Sequence, residues 1–497
     1  MASYSALQAH FEKIYDLKHL SAIASWDEAA MMPKGGGEAR GRALSTLGVV
    51  IHELLSDASL PDLIAAAAEE PGLSEWQSAN VREMGRMVRE ATALPAELVR
   101  ALSLATSRSE QAWRVCRAAN DWATMQPLLA EVVRLTREKG EALAAQSGLS
   151  CYNALLDTFE PGATTEMIDP VFADLKSFLP DFARQVIEKQ ALEPVLEIKA
   201  DFSVDKQRAL GVEVMALLGF DFEHGRLDIS HHPFCGGVPQ DVRITTRYNT
   251  GNFIESLMAV IHETGHAMYE RGLPGDYSDQ PVGEALSAGM HESQSLLMEM
   301  QACRTRQFIS FLTPTIQRSF LGGESNSPEW SAENLYRLYT RVRQSLIRVD
   351  ADEVTYPLHV ILRYEIEQAL IAGDLAVADL PGAWNDSMEA FLDLSTGSNH
   401  ADGCLQDVHW PAGLFGYFPT YTIGALTAAQ LFAAANHDIP GIRDEIGRGN
   451  FRPLLGWLRE HVHSKGKLLS FQELLTRATG SNLDVARYKA HVQARYL

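Results

Sequence analysis

The segment N-F-I-E-S-L-M-A-V-I-H-E-T-G-H-A-M, residues 252–268, predicts a buried amphipathic helix. Its apolar residues recur at three- and four-residue steps, which is the period of one helix face. Asn252 can cap the start of this helix, and Gly272 with Pro274 can end it. We therefore expect the polar residues in its second half to lie at the edge of a core rather than on an open surface.

Two histidines in this helix, His262 and His266, are four residues apart and so share one face. Two imidazoles at that spacing can hold one metal ion, and Glu263 then projects beside the metal, where it can act on a water molecule. This H-E-x-x-H pattern is the arrangement of zinc hydrolases, although the same pattern also arises by chance. The pentad predicts a zinc site with Glu263 as the general base.

A third ligand is needed because catalytic zinc takes three protein ligands and keeps one position for water. Residues 283–298, G-E-A-L-S-A-G-M-H-E-S-Q-S-L-L-M, predict a second helix with Glu284, His291 and Glu292 near its apolar side. We choose Glu292 as the third ligand, and Glu284 and His291 are the alternatives. No histidine follows at the spacing of the metzincin pattern.

Six ordered segments resemble those of the carboxypeptidase Taq family of zinc metallocarboxypeptidases. They are H-P-F (232–234), D-V-R-I-T (241–245), H-E-T-G-H (262–266), H-E-S-Q (291–294), I-R-V-D-A-D (347–352) and G-C-L-Q-D-V-H-W (403–410). The resemblance extends to Trp26 near the start and through residues 457–497, so it covers essentially the whole chain. Met298 and Cys303 stand where we would expect an aromatic residue and a glycine, a difference that bears on local packing.

The resemblance implies a peptide hydrolase that releases single C-terminal residues with broad specificity. It further implies one Zn²⁺ per chain, with Co²⁺ as an alternative, a peptide substrate with a free C-terminal carboxylate, and a homodimer. Such an enzyme also needs a neutral hydrogen-bond donor for the oxyanion. Tyr421 is our first choice for that donor, and Tyr417 and His409 are the alternatives.

An arginine suits the terminal carboxylate because its planar fork makes two hydrogen bonds to it. The resemblance favours Arg348 for this role, with Arg243 as the alternative anchor, although a structural salt bridge is the usual role of an arginine among acids. Asp350 or Asp352 could orient Arg348. The other polar residues that we expect along the substrate are His232, Asp241, Gln406 and Asp407.

Most of the chain predicts α-helix, with Pro or Gly between the periodic segments. The predicted helices before the metal-site helix cover residues 5–24, 38–57, 75–91, 96–118, 123–146, 166–190 and 204–218. The exception is 226–248, where alternating and β-branched residues flank a loop containing Gly236, Gly237 and Pro239, which predicts a β-hairpin. An exposed strand edge there could bind an extended peptide.

We therefore expect a mostly α-helical metallopeptidase with two lobes around a long groove and a small β-hairpin or sheet beside the zinc helix. No linker or repeat divides residues 1–497, so we predict a single domain. Within it we expect an N-terminal helical lobe (1–220), a zinc-site and groove region (221–430) and C-terminal helices (431–497).

The charge balance excludes one class of partner. The 497 residues carry 64 acidic and 43 basic side chains, giving a formal net charge of −21. A nucleic-acid backbone would be repelled, so we expect no nucleic-acid partner. The uncharged stretch 410–436 contains Pro411, Pro419 and Gln430, so it predicts a buried loop and helix rather than a membrane span.

The cysteines and the N-terminus indicate a cellular compartment. Five scattered cysteines without C-x-x-C spacing argue against a disulfide framework and for a reducing environment: Cys116, Cys151, Cys235, Cys303 and Cys404. The first residues lack a basic region followed by an apolar run, so we see no secretory signal. We expect a cytoplasmic protein.

Three other functions are alternatives to a metallocarboxypeptidase. A related helical zinc oligopeptidase or dipeptidyl carboxypeptidase would share H-E-x-x-H and a distant glutamate, and only the length of the product separates it. An aminopeptidase would usually carry G-x-M-E-N, which does not occur here. An inactive peptide-binding protein would have no need to keep both histidines, Glu263 and Glu292.

Overall fold

The computed structural model describes residues 2–497, which fold into twenty α-helices, a three-stranded sheet and one π-helical turn. The helices before the sheet are α1 (Ala2–Ala30), α2 (Gly37–Leu55), α3 (Leu60–Ala68), α4 (Glu75–Ala93), α5 (Ala96–Ala119), α6 (Trp122–Ser147), α7 (Cys151–Asp157), α8 (Thr165–Ala191) and α9 (Val204–Leu218). The strands are β1 (Gly225–Ile229), β2 (Phe234–Val238) and β3 (Asp241–Thr246). After the sheet come α10 (Ile254–Glu270), α11 (Ala288–Leu296), the π-helical turn (Leu297–Cys303), α12 (Arg306–Leu321), α13 (Ala332–Tyr339), α14 (Tyr356–Ala372), α15 (Leu380–Leu392), α16 (Pro419–Asp438), α17 (Ile442–Ile446), α18 (Arg452–His461), α19 (Phe471–Thr479) and α20 (Val485–Tyr496).

The seven helices predicted before the sheet are confirmed as α1, α2, α4, α5, α6, α8 and α9. The sequence did not indicate α3 and α7, because nine and seven residues give too few turns for a periodic pattern. The N-cap position of α10 is Phe253 rather than Asn252, but Asn252 accepts the N–H of Ile254, the first residue of the helix, at 2.9 Å.

The β-rich segment is a three-stranded sheet with β3 in the centre. β3 pairs in parallel with β1 and antiparallel with β2. The two segments that we expected to form a β-hairpin, now β1 and β3, run in parallel instead. Gly236 and Gly237, which we expected in the loop between them, belong to β2, so that part of the prediction is wrong. The reason is that glycine has no side chain to show the alternation by which strands are recognised. The hairpin turn is only Pro239 and Gln240.

The sheet lies directly against the helix that carries the H-E-x-x-H segment. Val242 and Ile244 of β3 are buried in one apolar cluster with Val260 and Ala267 of α10. These strand residues alternate along β3, so one face of the sheet covers α10. The predicted fold class, mostly α-helical with a small sheet beside the metal-site helix, is confirmed.

Two large apolar cores hold the molecule together. The first joins α5–α8 with α14–α16 and α20, and the second joins α9–α13 with α16–α19. Helix α16 contributes to both, since Ile423 and Leu426 are buried in the first core and Leu431 and Phe432 in the second. The first core contains residues from all three ranges that we predicted, 1–220, 221–430 and 431–497. The predicted division of the domain into these three regions stays a prediction.

Among residues 2–497, no single helix combines the length and the apolarity that a membrane span requires. One bent pair of helical segments, Lys34–Leu55 and Leu60–Ala68, meets the criteria of length and composition together.

Candidate metal centre

Helices α10, α11 and α16 approach one another almost backbone to backbone. A Cβ atom on Gly265 of α10 would lie 2.6 Å from the carbonyl oxygen of Gln294 in α11. A Cβ atom on Gly424 of α16 would lie 2.8 Å from the Cβ and Cγ atoms of Glu292, which is also in α11. Both distances are shorter than van der Waals contact, so only glycine allows this approach. Helix α11 is thus held between its two neighbours.

This packing brings together His262, His266 and Glu292. The Oε2 atom of Glu292 lies 3.7 Å from Nε2 of His262 and 3.4 Å from Nε2 of His266. One ligand atom from each of the three residues lies within 4.8 Å of the others, so the set could hold a metal ion. Burial would raise the pKa of Glu292, but the two histidines lower it to about 2, so this carboxylate is ionised.

The Nδ1 atoms of both histidines are engaged on the side away from Glu292. Nδ1 of His262 lies 2.9 Å from Oε2 of Glu299, whose other oxygen accepts from Arg304 at 2.5 Å. Nδ1 of His266 lies 3.1 Å from the carbonyl oxygen of His291. With Nδ1 in these contacts, the Nε2 atom of each ring faces the carboxylate of Glu292.

Glu299 belongs to the π-helical turn that follows α11. Such turns are rare and are frequently found at functional sites. Burial lowers the pKa of His262, but Glu292 and Glu299 outweigh it and raise that pKa to about 10. Our sequence reasoning missed Glu299, although a carboxylate seven residues after Glu292 lies on the same helix face and could have been found. Met298 and Cys303, the unusual residues of this turn, are both buried.

The two alternatives to Glu292 lie in other contacts. The second predicted helix begins only at residue 288, so Glu284 lies before α11. The carboxylate oxygens of Glu284 lie 3.2 Å from Nζ of Lys18 and 2.7 Å from Nζ of Lys467. His291 lies beside the three-residue set but faces α10. Its Nε2 atom contacts Glu270 at 2.8 Å, and its Nδ1 atom lies 2.6 Å from Nδ1 of His266.

Glu263 lies beside this set and is 6% exposed. Burial, the largest influence, raises its pKa to about 7. Its Oε2 atom is buried and has no hydrogen-bond partner among residues 2–497. A buried carboxylate oxygen without a partner is costly, so it indicates a group that is bound in the working protein. The edge strand β2 packs against α10, and burial, followed by the charge of Glu263, raises the pKa of Cys235 in that strand.

Tyr417, Tyr421 and His409 form an aromatic cluster near enough to Glu292 for its charge to act on both tyrosines. Nε2 of His409 and the hydroxyl of Tyr421 are 3.1 Å apart, and the two tyrosine rings are 5.3 Å apart. Burial and then the charge of Glu292 raise the pKa of Tyr417 to about 12. Burial also raises the pKa of Tyr421 and lowers that of His409 to about 3. Both phenols therefore keep their protons, and the imidazole is neutral.

Arg348 is buried behind this cluster. Its Nε and Nη2 atoms donate to Asp407 at 3.0 and 2.9 Å, and its Nη1 atom donates to the hydroxyl of Tyr356 at 3.0 Å. The guanidinium lies 5.0 Å from the ring centre of Tyr421. Asp407 also accepts from Nε of Arg363 at 2.6 Å. Burial would raise the pKa of Asp407, but the two arginines hold it well below its usual range.

The carboxylate that orients Arg348 is therefore Asp407, not Asp350 or Asp352 as we expected. Asp352 instead accepts hydrogen bonds from the backbone N–H groups of Arg343 and Val354, each at 2.9 Å. It fixes a turn, which is a common use of aspartate. Gln406 accepts from the backbone N–H of Arg348 at 2.8 Å and so holds the same segment.

The remaining predicted residues lie on or near the sheet. Arg243 donates to Asp241 at 2.9 and 2.7 Å, and its guanidinium lies 4.4 Å from the ring centre of Trp26 in α1. The His232 side chain is exposed between β1 and β2. No hydrogen bond or ion pair among the described residues joins His232, Asp241 or Arg243 to the three-residue set.

Comparisons with known proteins agree along the whole chain. A family model described as carboxypeptidase Taq (M32) metallopeptidase matches residues 6–496. Thermostable carboxypeptidase 1 of Thermus thermophilus is 35% identical, with 100% of this chain and 98% of that protein covered. The structure of Trypanosoma cruzi metallocarboxypeptidase 1 superposes with a TM-score of 0.97 at 42% identity, covering 100% of this chain and 99% of that one. The M32 carboxypeptidase of Deinococcus radiodurans R1 has a TM-score of 0.94 at 35% identity, with 100% and 99% covered.

Proposed function

The chain belongs to the carboxypeptidase Taq (M32) family of metallopeptidases, and from that premise we propose a zinc carboxypeptidase that releases one C-terminal residue at a time from peptides of varied sequence. The observation that carries this proposal is the convergence of His262, His266 and Glu292 beside the buried, unpartnered oxygen of Glu263. Two imidazoles and one carboxylate form a donor set typical of catalytic zinc.

We assign His262, His266 and Glu292 as the metal ligands. The Nε2 atoms of both rings face an ionised carboxylate, while their Nδ1 atoms are held by protein groups, so the Nε2 atoms are free to bind a cation. When bound there, Zn²⁺ supplies a Lewis acid that polarises a water molecule and the carbonyl of the substrate. Co²⁺ is the alternative metal.

Glu263 acts as the general base in this proposal. Its unpartnered oxygen accepts a proton from the attacking water, and the same carboxyl group then gives that proton to the leaving amine. The cleaved bond is the last peptide bond, so the products are a shortened peptide and one free amino acid. Burial of Glu263 keeps bulk water away from this proton transfer.

Tyr421 stabilises the negative charge that develops on the carbonyl oxygen. Its hydroxyl is protonated, and the neutral His409 at 3.1 Å can orient it. A neutral hydroxyl suits this role because no ion pair has to break before the hydroxyl can donate to the developing oxyanion. Tyr417 lies beside it and is the second candidate for the same role.

Arg348 is our candidate for binding the terminal carboxylate. A guanidinium has five N–H donors, and three of them are used by Asp407 and Tyr356, so two remain. Gln406 and Asp407 hold Arg348 in place. The backbone of the substrate would extend along the free edge of β2 near His232, with Asp241 and Arg243 on the outer side of the sheet.

We also propose a cytoplasmic homodimer. The homodimer follows from the family resemblance alone. All five cysteines are free and scattered, which suits a reducing compartment.

Mass spectrometry of a free-acid peptide incubated with the protein, with and without a chelator, tests the proposal. We expect a ladder that loses one C-terminal residue per step, stops with chelator and resumes with added Zn²⁺ or Co²⁺. A ladder that loses two residues per step, or internal cuts, would assign the dipeptidyl carboxypeptidase or oligopeptidase function instead. A metal-loaded protein that cleaves no peptide in a varied set would be the inactive peptide-binding protein.

A further inference from the structure

Helix α14 supplies two of the side chains that fix Arg348, the residue proposed to bind the terminal carboxylate. Tyr356, the first residue of α14, accepts from Nη1 of Arg348 at 3.0 Å. Arg363 lies about two turns further along α14 and therefore on the same face of the helix. Arg363 donates to Asp407, and Asp407 in turn accepts from Arg348. One helix thus acts on Arg348 both directly and through a carboxylate.

Asp407 divides its two carboxylate oxygens between two guanidinium groups. Its Oδ1 atom accepts from Nε and Nη2 of Arg348 at 3.0 and 2.9 Å, whereas its Oδ2 atom accepts from Nε of Arg363 at 2.6 Å. A single arginine and a carboxylate frequently form a fork, in which both oxygens contact the same guanidinium. Arg348 has only one oxygen of Asp407 because Arg363 occupies the other.

Arg363 is itself held in one position. Its side chain is fully buried, and its Nη1 atom donates to the backbone oxygen of His359, one turn earlier in α14, at 2.7 Å. Its guanidinium lies 4.6 Å from the ring centre of Trp384 and 5.4 Å from that of Phe418. The Phe418 ring also lies 5.6 Å from the guanidinium of Arg348. Because Arg363 is fixed on several sides, the Oδ2 atom that it holds is fixed as well.

Asp407 is the carboxylate that both arginines share. Among residues 2–497, no other aspartate or glutamate side chain lies at ion-pair distance from Arg348 or Arg363. Glu367 follows Arg363 by one turn of α14, but its oxygens are used elsewhere. They accept from three other groups, which are the side chains of Tyr152 and Trp410 and the backbone N–H of Gly416. The position of Asp407 therefore decides where the guanidinium of Arg348 lies.

We propose that Arg363 is a positioning residue for recognition of the terminal carboxylate of the substrate. It keeps Oδ2 of Asp407 away from Arg348, so that Arg348 retains one unused N–H group on Nη1 and one on Nη2. A carboxylate can accept from both of these groups. Without Arg363, Asp407 would turn to face Arg348 with both oxygens, and the guanidinium would shift with it. This inference rests on the role proposed above for Arg348.

The test is the ratio of kcat/KM for a free-acid peptide to kcat/KM for the matching C-terminal amide, measured with the zinc-loaded protein. In Arg363→Met, we expect this ratio to fall by about ten-fold or more, as loss of a charge-assisted hydrogen bond does. The fall should come mainly from a higher KM for the acid, because the carboxylate is bound before the reaction as well as during it.

Arg363→Lys gives a second, milder change at the same position. Lysine keeps the positive charge but lacks the planar fork, so it cannot contact both Asp407 and the backbone of His359. We expect the ratio of acid to amide hydrolysis to fall by about two- to ten-fold, as loss of one hydrogen bond does. If Arg363→Met does not fold, this variant provides the decisive ratio.

Arg137→Met is the matched control. Arg137 donates to the backbone oxygen of Leu370 at 2.8 Å and so stabilises the same helix, but Leu370 lies about two turns beyond Arg363. Loss of Arg137 should weaken α14 without changing the ratio of acid to amide hydrolysis. The control therefore separates positioning of Arg348 from general destabilisation of the helix.

Two outcomes would overturn the proposal. If the ratio falls in Arg348→Ala but not in the Arg363 variants, Arg348 binds the terminal carboxylate and Arg363 only stabilises the fold. If the ratio is unchanged in Arg348→Ala itself, the role proposed for Arg348 is wrong, and the inference about Arg363 fails with it.

Discussion

His262 and His266 each make two kinds of contact, one through the Nε2 atom and one through the Nδ1 atom. The Nε2 atoms face Glu292, whereas the Nδ1 atoms contact Glu299 and the backbone of His291. The two outer contacts differ, because one is a carboxylate held by Arg304 and the other is His291, through its carbonyl oxygen and its Nδ1 atom. The orientation of each ligand is therefore set by a residue outside the H-E-x-x-H segment.

Replacing Glu263 by Gln should separate chemistry from metal binding. The amide keeps the shape of the side chain but cannot accept the proton, so we expect kcat to fall by about 10²–10⁴-fold with the metal retained. Steady-state kinetics and metal analysis of the same sample measure both quantities. A metal-loaded variant with a near-normal rate would remove Glu263 from the mechanism.

Glu299→Gln should act on the metal rather than on the reaction. The variant loses the carboxylate that orients His262, so we expect metal affinity to fall by about 10–100-fold. Competition with a chelator of known affinity measures it. Glu284→Gln is the matched control, because Glu284 pairs with Lys18 and Lys467 and lies outside the set, so its metal affinity should not change. Equal losses in both variants would contradict the role of Glu299.

Arg348→Ala should discriminate between free-acid and amide substrates. If Arg348 binds the terminal carboxylate, its loss removes charge-assisted hydrogen bonds, and kcat/KM for free-acid peptides should fall by about 10–100-fold. The fall for the matching C-terminal amides should be much smaller. Arg243→Ala tests the alternative anchor, and Arg134→Ala is the control, since Arg134 is exposed and pairs with Glu131 and Glu138. The same loss on acid and amide would make Arg348 a purely structural residue.

At the level of elements, the metal centre depends on how closely α10, α11 and α16 approach. Gly265 lies within the H-E-x-x-H segment, and because it has no side chain the backbone of α11 can approach α10 closely. Gly424 does the same from α16. The π-helical turn then continues α11 so that Glu299 reaches His262. Three packed helices and one irregular turn thus define the ligand geometry.

Gly424→Ala should disturb Glu292 directly. The added Cβ would lie 2.8 Å from the Cβ and Cγ atoms of Glu292, so α11 must move away from α16. We expect the free energy of unfolding to fall by about 1–3 kcal/mol, as overpacking of a core does, together with weaker metal binding. Urea denaturation and chelator competition measure the two effects.

The control for that substitution is Gly456→Ala in α18. An added Cβ there has no atom within 4 Å, and alanine is the better helix former, so stability should rise by about 0.5–1 kcal/mol. If Gly424→Ala behaved like Gly456→Ala, the close approach of α16 would not be needed for the metal centre.

At the level of the whole molecule, Glu353 joins the end of the chain to its centre. This carboxylate is 4% exposed and accepts from Arg495, Tyr496 and His491 of α20 at 2.9, 3.0 and 2.7 Å. It also accepts from Gln301 of the π-helical turn at 3.3 Å. Burial would raise the pKa of Glu353, but Arg495 and His491 hold it well below its usual value of 4.5.

In the Glu353→Gln variant, the stability of the whole protein should change less with pH in the acidic range. A carboxyl group with a lowered folded pKa contributes stability above its unfolded pKa, and that contribution is lost as the pH falls below about 4.5. We expect a cost of about 3–5 kcal/mol at pH 7, where the buried cations lose their partner. The difference in Tm from the unaltered protein should shrink as the pH is lowered from 5 to 3.

Glu365→Gln is the matched control, because Glu365 and Lys176 form an exposed pair at 2.5 Å whose loss should cost little at any pH. A constant difference in Tm between Glu353→Gln and the unaltered protein over that pH range would contradict the prediction.

Local periodicity and residue spacing were enough to predict several features of this protein. Helical periodicity predicted the mostly α-helical class, and the ordered motifs placed the chain in its family before any contact was known. The spacing of His262, Glu263 and His266 within one helix predicted their shared face. Each of these inferences needs only residues a few positions apart, where helix geometry alone fixes the arrangement.

Which distant residues come into contact could be read only from the packed structure. The sequence favoured Glu292 as the third ligand and left Glu284 and His291 as alternatives, and it is the packing of α11 between α10 and α16 that makes Glu292 face both histidines. Likewise, Asp407 rather than Asp352 contacts Arg348, across 59 residues of chain. Such pairings depend on how whole helices pack, because packing brings together side chains whose separation along the chain carries no geometric information.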